Sequence, residues 1–163
     1  MRWGLLIAAL GNAGVIGLIG AAGAWAGEPW LIPSLGPSAL VQIMTPRQPS
    51  ARPWNTAIGQ FIGVAAGFAS VYALGAAAAP EVASGQPLTW TRVAAAALAI
   101  GLTAAGQALL RAIDAPGAAT TLLLALGKIK PTLYGAFLIV AGVLLVTVLG
   151  EAVCWVVLRL EPE

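Results

Sequence analysis

The sequence has no histidine and a single cysteine, Cys154. Without imidazole there is no histidine base, no histidine metal ligand and no Ser-His or Cys-His nucleophile pair. One thiol cannot close a disulfide within the chain. Charge is scarce too. Charged residues are 9% of the 163, against about 25% in ordinary soluble domains. Hydrophobic residues reach 60%, so the chain cannot cover itself with polar surface in water. Disorder is excluded by the same numbers, since it needs high charge and low hydrophobicity. The net charge of +2 comes from scattered residues with no basic cluster, so no nucleic-acid partner is expected. No cofactor is expected.

What is present is long apolar runs. A bilayer core about 30 Å thick needs roughly 20 apolar helical residues. Gly4–Ala26, Asn55–Ala79, Thr91–Leu110 and Thr132–Leu158 qualify. In lipid every backbone N–H and C=O must be satisfied internally, so these spans are helices. Trp3, Trp25, Trp30, Trp54, Trp90 and Trp155 fall near span ends, as an interfacial aromatic belt requires. The first run, Leu5–Ala24, exceeds the usual 7–15 apolar residues of a signal peptide, so a retained helix is expected. The expected fold is an all-α polytopic membrane protein in one domain over residues 1–163. Its two tandem repeats cover about residues 4–79 and 91–158, and the expected partner is the lipid bilayer.

Two glycine ridges stand out. Gly11, Gly14, Gly17, Gly20 and Gly23 recur every third residue, and Gly59, Gly63 and Gly67 every fourth. Small residues let helix backbones approach closely in lipid, where no hydrophobic force drives association. The ridges serve packing within the chain or a homo-oligomer interface.

Between the spans lie two short broken segments. One contains Pro33-Ser34-Leu35-Gly36-Pro37-Ser38, the other Asp114-Ala115-Pro116-Gly117-Ala118-Ala119-Thr120. Each opens with Pro and Gly, turns apolar, and runs into a basic, proline-containing loop, Pro46–Pro53 or Lys128–Pro131. The expected half-helices, Pro37–Thr45 and Gly117–Gly127, rise roughly 14–17 Å, about half a bilayer core. Ser34 and Asp114 are the expected N-caps. Length favours re-entry over crossing. Re-entry places both basic loops on one face and, by the positive-inside rule, both termini outside the cytoplasm. Crossing would instead give six spans and inverted repeats. Gly36-Pro37-Ser38 and Gly117-Ala118-Ala119 are expected to meet near the midplane about a pseudo-two-fold axis. Broken helices at matching positions of two repeats are the sequence pointer to a transporter's substrate site.

Three stretches resemble the HPP family, named for a His-Pro-Pro motif. They are Pro33-Ser34-Leu35-Gly36-Pro37-Ser38-Ala39-Leu40-Val41, then Arg52-Pro53-Trp54-Asn55 with Gly59-Gln60 and Gly63, then Asp114-Ala115-Pro116-Gly117-Ala118-Ala119-Thr120. With the order of spans the resemblance covers roughly Glu28 to Gly150. It implies a small four-span membrane protein associated with nitrite transport. Asp114-Ala115-Pro116 stands where the family has His-Pro-Pro, and Gly59-Gln60 where it has Gly-His. Any mechanism that protonates those histidines is therefore absent here.

Within the spans no lysine or arginine lies deep. The available positive potential is the half-helix N-termini, roughly +0.5 of a charge each. The candidate substrate-binding residues are Ser34, Gly36, Pro37, Ser38, Asn55, Gln60, Asp114, Pro116, Gly117 and Thr120. Together they suit a small monovalent anion such as nitrite. Asp114 cuts against a plain anion site. Ionised, it would repel an anion; protonated, it could donate a hydrogen bond and couple transport to protons. Glu151 is the one charge inside the fourth span and the next carboxyl candidate. The expected function is small-solute transport in the bacterial inner (plasma) membrane. The alternative is a scaffold or partner subunit whose broken helices only pack. An enzyme would have to rest on Asp114 paired with Glu151.

Overall fold

The protein is described by a computed structural model that covers residues 2–83 and 85–160, the side chains of Arg2 and Trp3 apart. Its six α-helices are α1 (Arg2–Ala26), α2 (Leu35–Met44), α3 (Pro53–Ala73), α4 (Trp90–Leu109), α5 (Ala115–Ala125) and α6 (Leu133–Leu160). The described residues contain no strand. α1, α3, α4 and α6 are long and apolar enough to cross a membrane; α2 and α5 are the two short helices. The second span ends at Ala73, six residues before the expected Ala79. Gly75 turns the chain there with φ +64°, and a 3-10 turn follows over Ala76–Ala78. α5 ends at a second left-handed glycine, Gly127, with Lys128 N–H bonded to Leu123 O and Gly127 N–H to Leu124 O.

Residue pairings fix the direction of each helix. In α2, Leu35 lies against Gly142 of α6 and Gln42 against Gly150, so α2 and α6 run parallel. Gly11 of α1 meets Val153 of α6 and Ile43 of α2, while Gly20 meets Leu31, so α1 runs against both. Gly59, Gly63 and Gly67 of α3 meet Asp114, Gly117 and Leu124, so α3 and α5 run parallel. Gln107 of α4 bonds Asp114, and Arg92 bonds Ala125 O, so α4 runs against α5. The chain therefore changes ends at every helix. The triplet α1–α3 and the triplet α4–α6 have opposite directions, helix for helix. α2 packs against both α1 and α6, and α5 against both α3 and α4.

This corrects the length argument for re-entry. A helix rises 1.5 Å per residue, but extended chain reaches about twice that. Residues 28–32, outside any helix, lead into the bundle, and α2 carries the chain on to its other end. Cavity lining places Met44 and Arg47 beside Gly4 and Val157, at the end where α1 starts and α6 finishes. The second basic loop, Lys128–Pro131, lies at the other end, where Tyr72 bonds Pro131 O and Tyr134 bonds Glu28. The two basic loops thus lie at opposite ends, here called the arginine end and the lysine end.

The extended leg satisfies part of its own backbone in tight steps. Trp30 N–H bonds Glu28 O at 2.9 Å, Ile32 N–H bonds Trp30 O at 3.0 Å, and Leu35 N–H bonds Ile32 O at 3.0 Å. Glycines make room for it. A Cβ on Gly23 would stand 2.6 Å from Glu28 O, and one on Gly142 2.9 Å from Trp30 O.

The two halves are packed differently. Between α1, α2 and α6 the core is aliphatic, with Val15, Ile19, Leu35, Ile43, Ile139, Val143 and Val146. Between α3 and α5 the backbones touch through glycine. A Cβ on Gly63 would stand 2.4 Å from Gly117 O. The Gly59-Gly63-Gly67 ridge therefore serves packing within the chain. On α1, Gly14 and Gly17 face open space, so that part of the other ridge is unused by the chain itself. Exposed Trp25 and Trp90 mark the lysine end and exposed Trp54 and Trp155 the arginine end, two belts as a bilayer demands. Arg159 lies over the Trp155 ring at 3.4 Å.

Candidate functional site

The N-terminal turns of α2 and α5 meet inside the bundle. Leu35 is level with Gly142, the tenth residue of α6, about 14 Å along that helix. Asp114 is level with Gly59, about 9 Å along α3. Because Ser34 and Ser38 are four residues apart at a helix start, both side chains point inward, and both are buried. Gly36 and Pro37 lie on the other side of that turn. Gly36 is half-buried with open space beside it, and Pro37 is exposed. The structure brings Ser34, Ser38, Gln60 and Thr120 together, and leaves Gly36 and Pro37 outside.

Those four residues close a ring, with the Ser34 main-chain carbonyl as one of its links. Gln60 Nε2 donates to Ser38 Oγ at 3.0 Å, and Ser38 Oγ donates to Ser34 O at 3.1 Å. Thr120 Oγ1 lies 2.7 Å from Ser34 Oγ and is also bonded to Gln60 Oε1. Thr120 has one hydroxyl proton and two partners. Gln60 Oε1 can only accept, so the Thr120 proton goes there and the Ser34 hydroxyl donates to Thr120 in return. The Ser38 and Thr120 hydroxyls then each give one bond and take one, and the Ser34 hydroxyl gives one. All four residues are at most 1% exposed, so an unmade bond here would be costly.

Around the ring runs a wider polar seam. Gln42 Nε2 donates to Thr56 Oγ1 at 2.9 Å, while Gln42 Oε1 is buried over Gly150 without a partner. Thr103 and Thr121 share a bond of 2.8 Å, and Thr121 also reaches Gly63 O at 3.1 Å. Asn55 Nδ2 donates to Ile113 O at 3.2 Å, tying the start of α3 to the leg before α5. Gln107 grips the main chain of Asp114 from both sides: Nε2 donates to Asp114 O at 2.9 Å and Oε1 accepts from Asp114 N–H at 3.1 Å.

The two expected caps behave differently. Asp114 Oδ2 accepts Gly117 N–H at 2.7 Å and caps α5. Ser34 makes no side-chain cap bond; its backbone is already helical at φ −73°, ψ −16°, and its hydroxyl is turned to Thr120 instead. In α5, Pro116 has no N–H to offer and Gly117 N–H is taken. The chain's own carboxyl thus fills the α5 end. Pro116 is buried, and Gly117 is buried against Gly59 of α3 and Gln107 of α4. Glu151, in contrast, is exposed on α6.

Two cavities lie at the ends of the bundle, away from the ring. One of about 350 Å³ opens at the lysine end between the extended leg and Lys128–Leu138. One of about 310 Å³ lies at the arginine end beside Met44 and Arg47. Beside Gln60, Phe61 and Val143 the packing leaves no room for a water.

Sequence reasoning passed over Gln42, Thr56, Thr103, Gln107, Thr121 and Arg92. The buried Arg92 guanidinium donates to Ala79 O at 2.8 Å, Ala125 O at 2.9 Å and Pro80 O at 3.0 Å, so it serves the free carbonyl at the end of α5. The usable signal was polarity inside apolar spans, since Gln107 is the one amide of its span.

Neither a curated protein nor a solved structure matches the chain. The family model described as "HPP, transmembrane region" matches residues 2–163, beyond the Glu28–Gly150 stretch of the sequence resemblance. A match over that length, on an all-helical chain with four long apolar helices and two shorter ones, makes this protein a member of the HPP transmembrane family.

Proposed function

We propose that the protein is a small-solute transporter, with monovalent anions of the nitrite class as substrate. The observation that carries this is the meeting of two broken-helix starts, from triplets of opposite direction, through Ser34, Thr120, Gln60 and Ser38. Discontinuous helices of inverted topology, meeting inside the bundle, are how several secondary transporters build a substrate site. The ring is then the closed state. An anion takes hydroxyl and amide donors from Ser34, Ser38, Thr120 and Gln60 when the ring opens, in the positive potential of the helix starts.

The arginine end carries Arg2, Arg47, Arg52, Arg111 and Arg159, against Arg92, Lys128 and Lys130 at the other. With six crossings the positive-inside rule makes the arginine end cytoplasmic, which puts both termini inside, where the re-entrant reading puts them outside. The bacterial inner membrane fits that asymmetry. The open face at Gly14 and Gly17 suits a homo-oligomer.

A scaffold reading is favoured by one observation, the dry packing beside Gln60. Uptake by purified protein in liposomes separates the two. The transport reading expects nitrite uptake above protein-free vesicles, with less for sulfate, and reduced uptake for Thr120→Val. No uptake of any small anion would leave the scaffold.

A further inference from the structure

We infer that the start of α5 is a seat shared by the Asp114 carboxyl and the transported anion, so that one proton and one monovalent oxyanion cross together. The inference rests on the transport reading above. Asp114 Oδ2 holds Gly117 N–H at 2.7 Å. When the carboxyl takes a proton it releases that N–H, and the oxyanion takes it.

The geometry separates a fixed main chain from a loosely held carboxyl. Gln107 clamps Asp114 N–H and O, and Asn55 holds Ile113 O, so the backbone is anchored. The carboxyl itself has one bond. Asp114 is 1% exposed, yet Oδ1 is buried with no partner. Glycines leave the space it occupies. A Cβ on Gly59 would stand 2.3 Å from Asp114 Cβ, and one on Gly117 2.9 Å from Oδ2. Facing it, α3 presents Asn55 and Gly59 and α4 presents Gln107, and none of these ionises. Arg111, three residues earlier, is exposed. Among the described residues Asp114 makes no ion pair, so nothing of opposite charge holds it ionised. An ionised carboxyl with an empty, buried oxygen is costly to keep, and a proton relieves that cost.

The exchange balances. Before it, the helix start faces one negative charge, the carboxylate. Afterwards it faces one negative charge, the oxyanion, and the proton sits on the Asp114 oxygen. The seat never holds two negative charges and never stands empty. Release at the far side runs the same steps backwards.

The test uses nitrite and the full chain. In liposomes, after subtraction of protein-free vesicles, an inside-alkaline gradient of one pH unit should drive about tenfold nitrite accumulation, because one pH unit is a tenfold driving ratio for one-to-one symport. A trapped pH dye should report acidification with it. Asp114→Asn, which caps a helix about as well but binds no proton, should lose the response to the gradient; Asp114→Ser checks the same point with a second cap. Nitrite uptake by the unaltered protein that ignores the gradient overturns the inference, as does a gradient response retained by both variants. A second readout needs no transport. Nitrite added to the protein in detergent should raise the protonated-carboxyl stretch in the infrared, and Asp114→Asn should remove it. An unchanged band overturns the shared seat. A band that rises without any uptake supports the seat and overturns the transport reading alone.

Discussion

Ser34 Oγ and Thr120 Oγ1 lie 2.7 Å apart although 86 residues separate them in the chain. This contact joins the starts of the two half-helices, and Gln60 of α3 bonds to it from the side. A buried ring of this kind is worth more intact than its members are singly.

Thr120→Val keeps the shape of the side chain and removes its hydroxyl. Gln60 Oε1 then lies buried without a donor, and the expected loss is about 1–3 kcal/mol. Ser34→Ala added to it should cost less than the two single changes summed, because the Ser34 hydroxyl has already lost its partner. Thermal unfolding in detergent of the two single variants and the double variant measures this. Strict additivity would show that the ring does not act as a unit.

The two glycine ridges should respond in opposite ways. Gly63→Leu drives a side chain into Gly117 O, a backbone atom that cannot step aside, and should abolish the folded, monodisperse protein. Gly17→Leu points into open space and should leave stability within about 0.5 kcal/mol. If α1 forms the oligomer interface, Gly17→Leu instead lowers the mass seen by light scattering. A Gly63→Leu protein that elutes like the original would show that the α3–α5 contact is not close.

Arg92→Lys keeps the charge but cannot reach three carbonyls with a planar fork. The end of α5 should loosen, so amide exchange around residues 124–128 should speed up while the Ser34–Thr120 region stays protected. Equal exchange rates in the two proteins would mean that the guanidinium does not hold that end.

The Pro46–Pro53 loop and the Lys128–Pro131 loop lie at opposite ends of the bundle, so they are expected on opposite membrane faces. With Cys154 replaced by alanine, single cysteines at Gln48 and Lys130 should label from opposite sides with a membrane-impermeant maleimide. Labelling of both from one side would restore re-entry.

The sequence by itself determined the membrane class, the four long helices, the positions of both breaks, and Asp114 as a helix cap. All of these depend on local terms: hydropathy over about 20 residues, proline and glycine conformation, and a side chain three residues from its N–H. The capping failure at Ser34 was not legible, because a hydroxyl that can bond its own helix start takes a partner 86 residues away when one is presented. Nor was the crossing of α2, since extended chain and helix cover different distances and composition does not say which the leg adopts. The inward turn of Ser34 and Ser38, the outward turn of Gly36 and Pro37, and the filling of the α5 end by Asp114 were decided by helix directions and contact faces. Those depend on which backbones can touch, and glycine at Gly59, Gly63 and Gly117 settles that only once the helices are brought together.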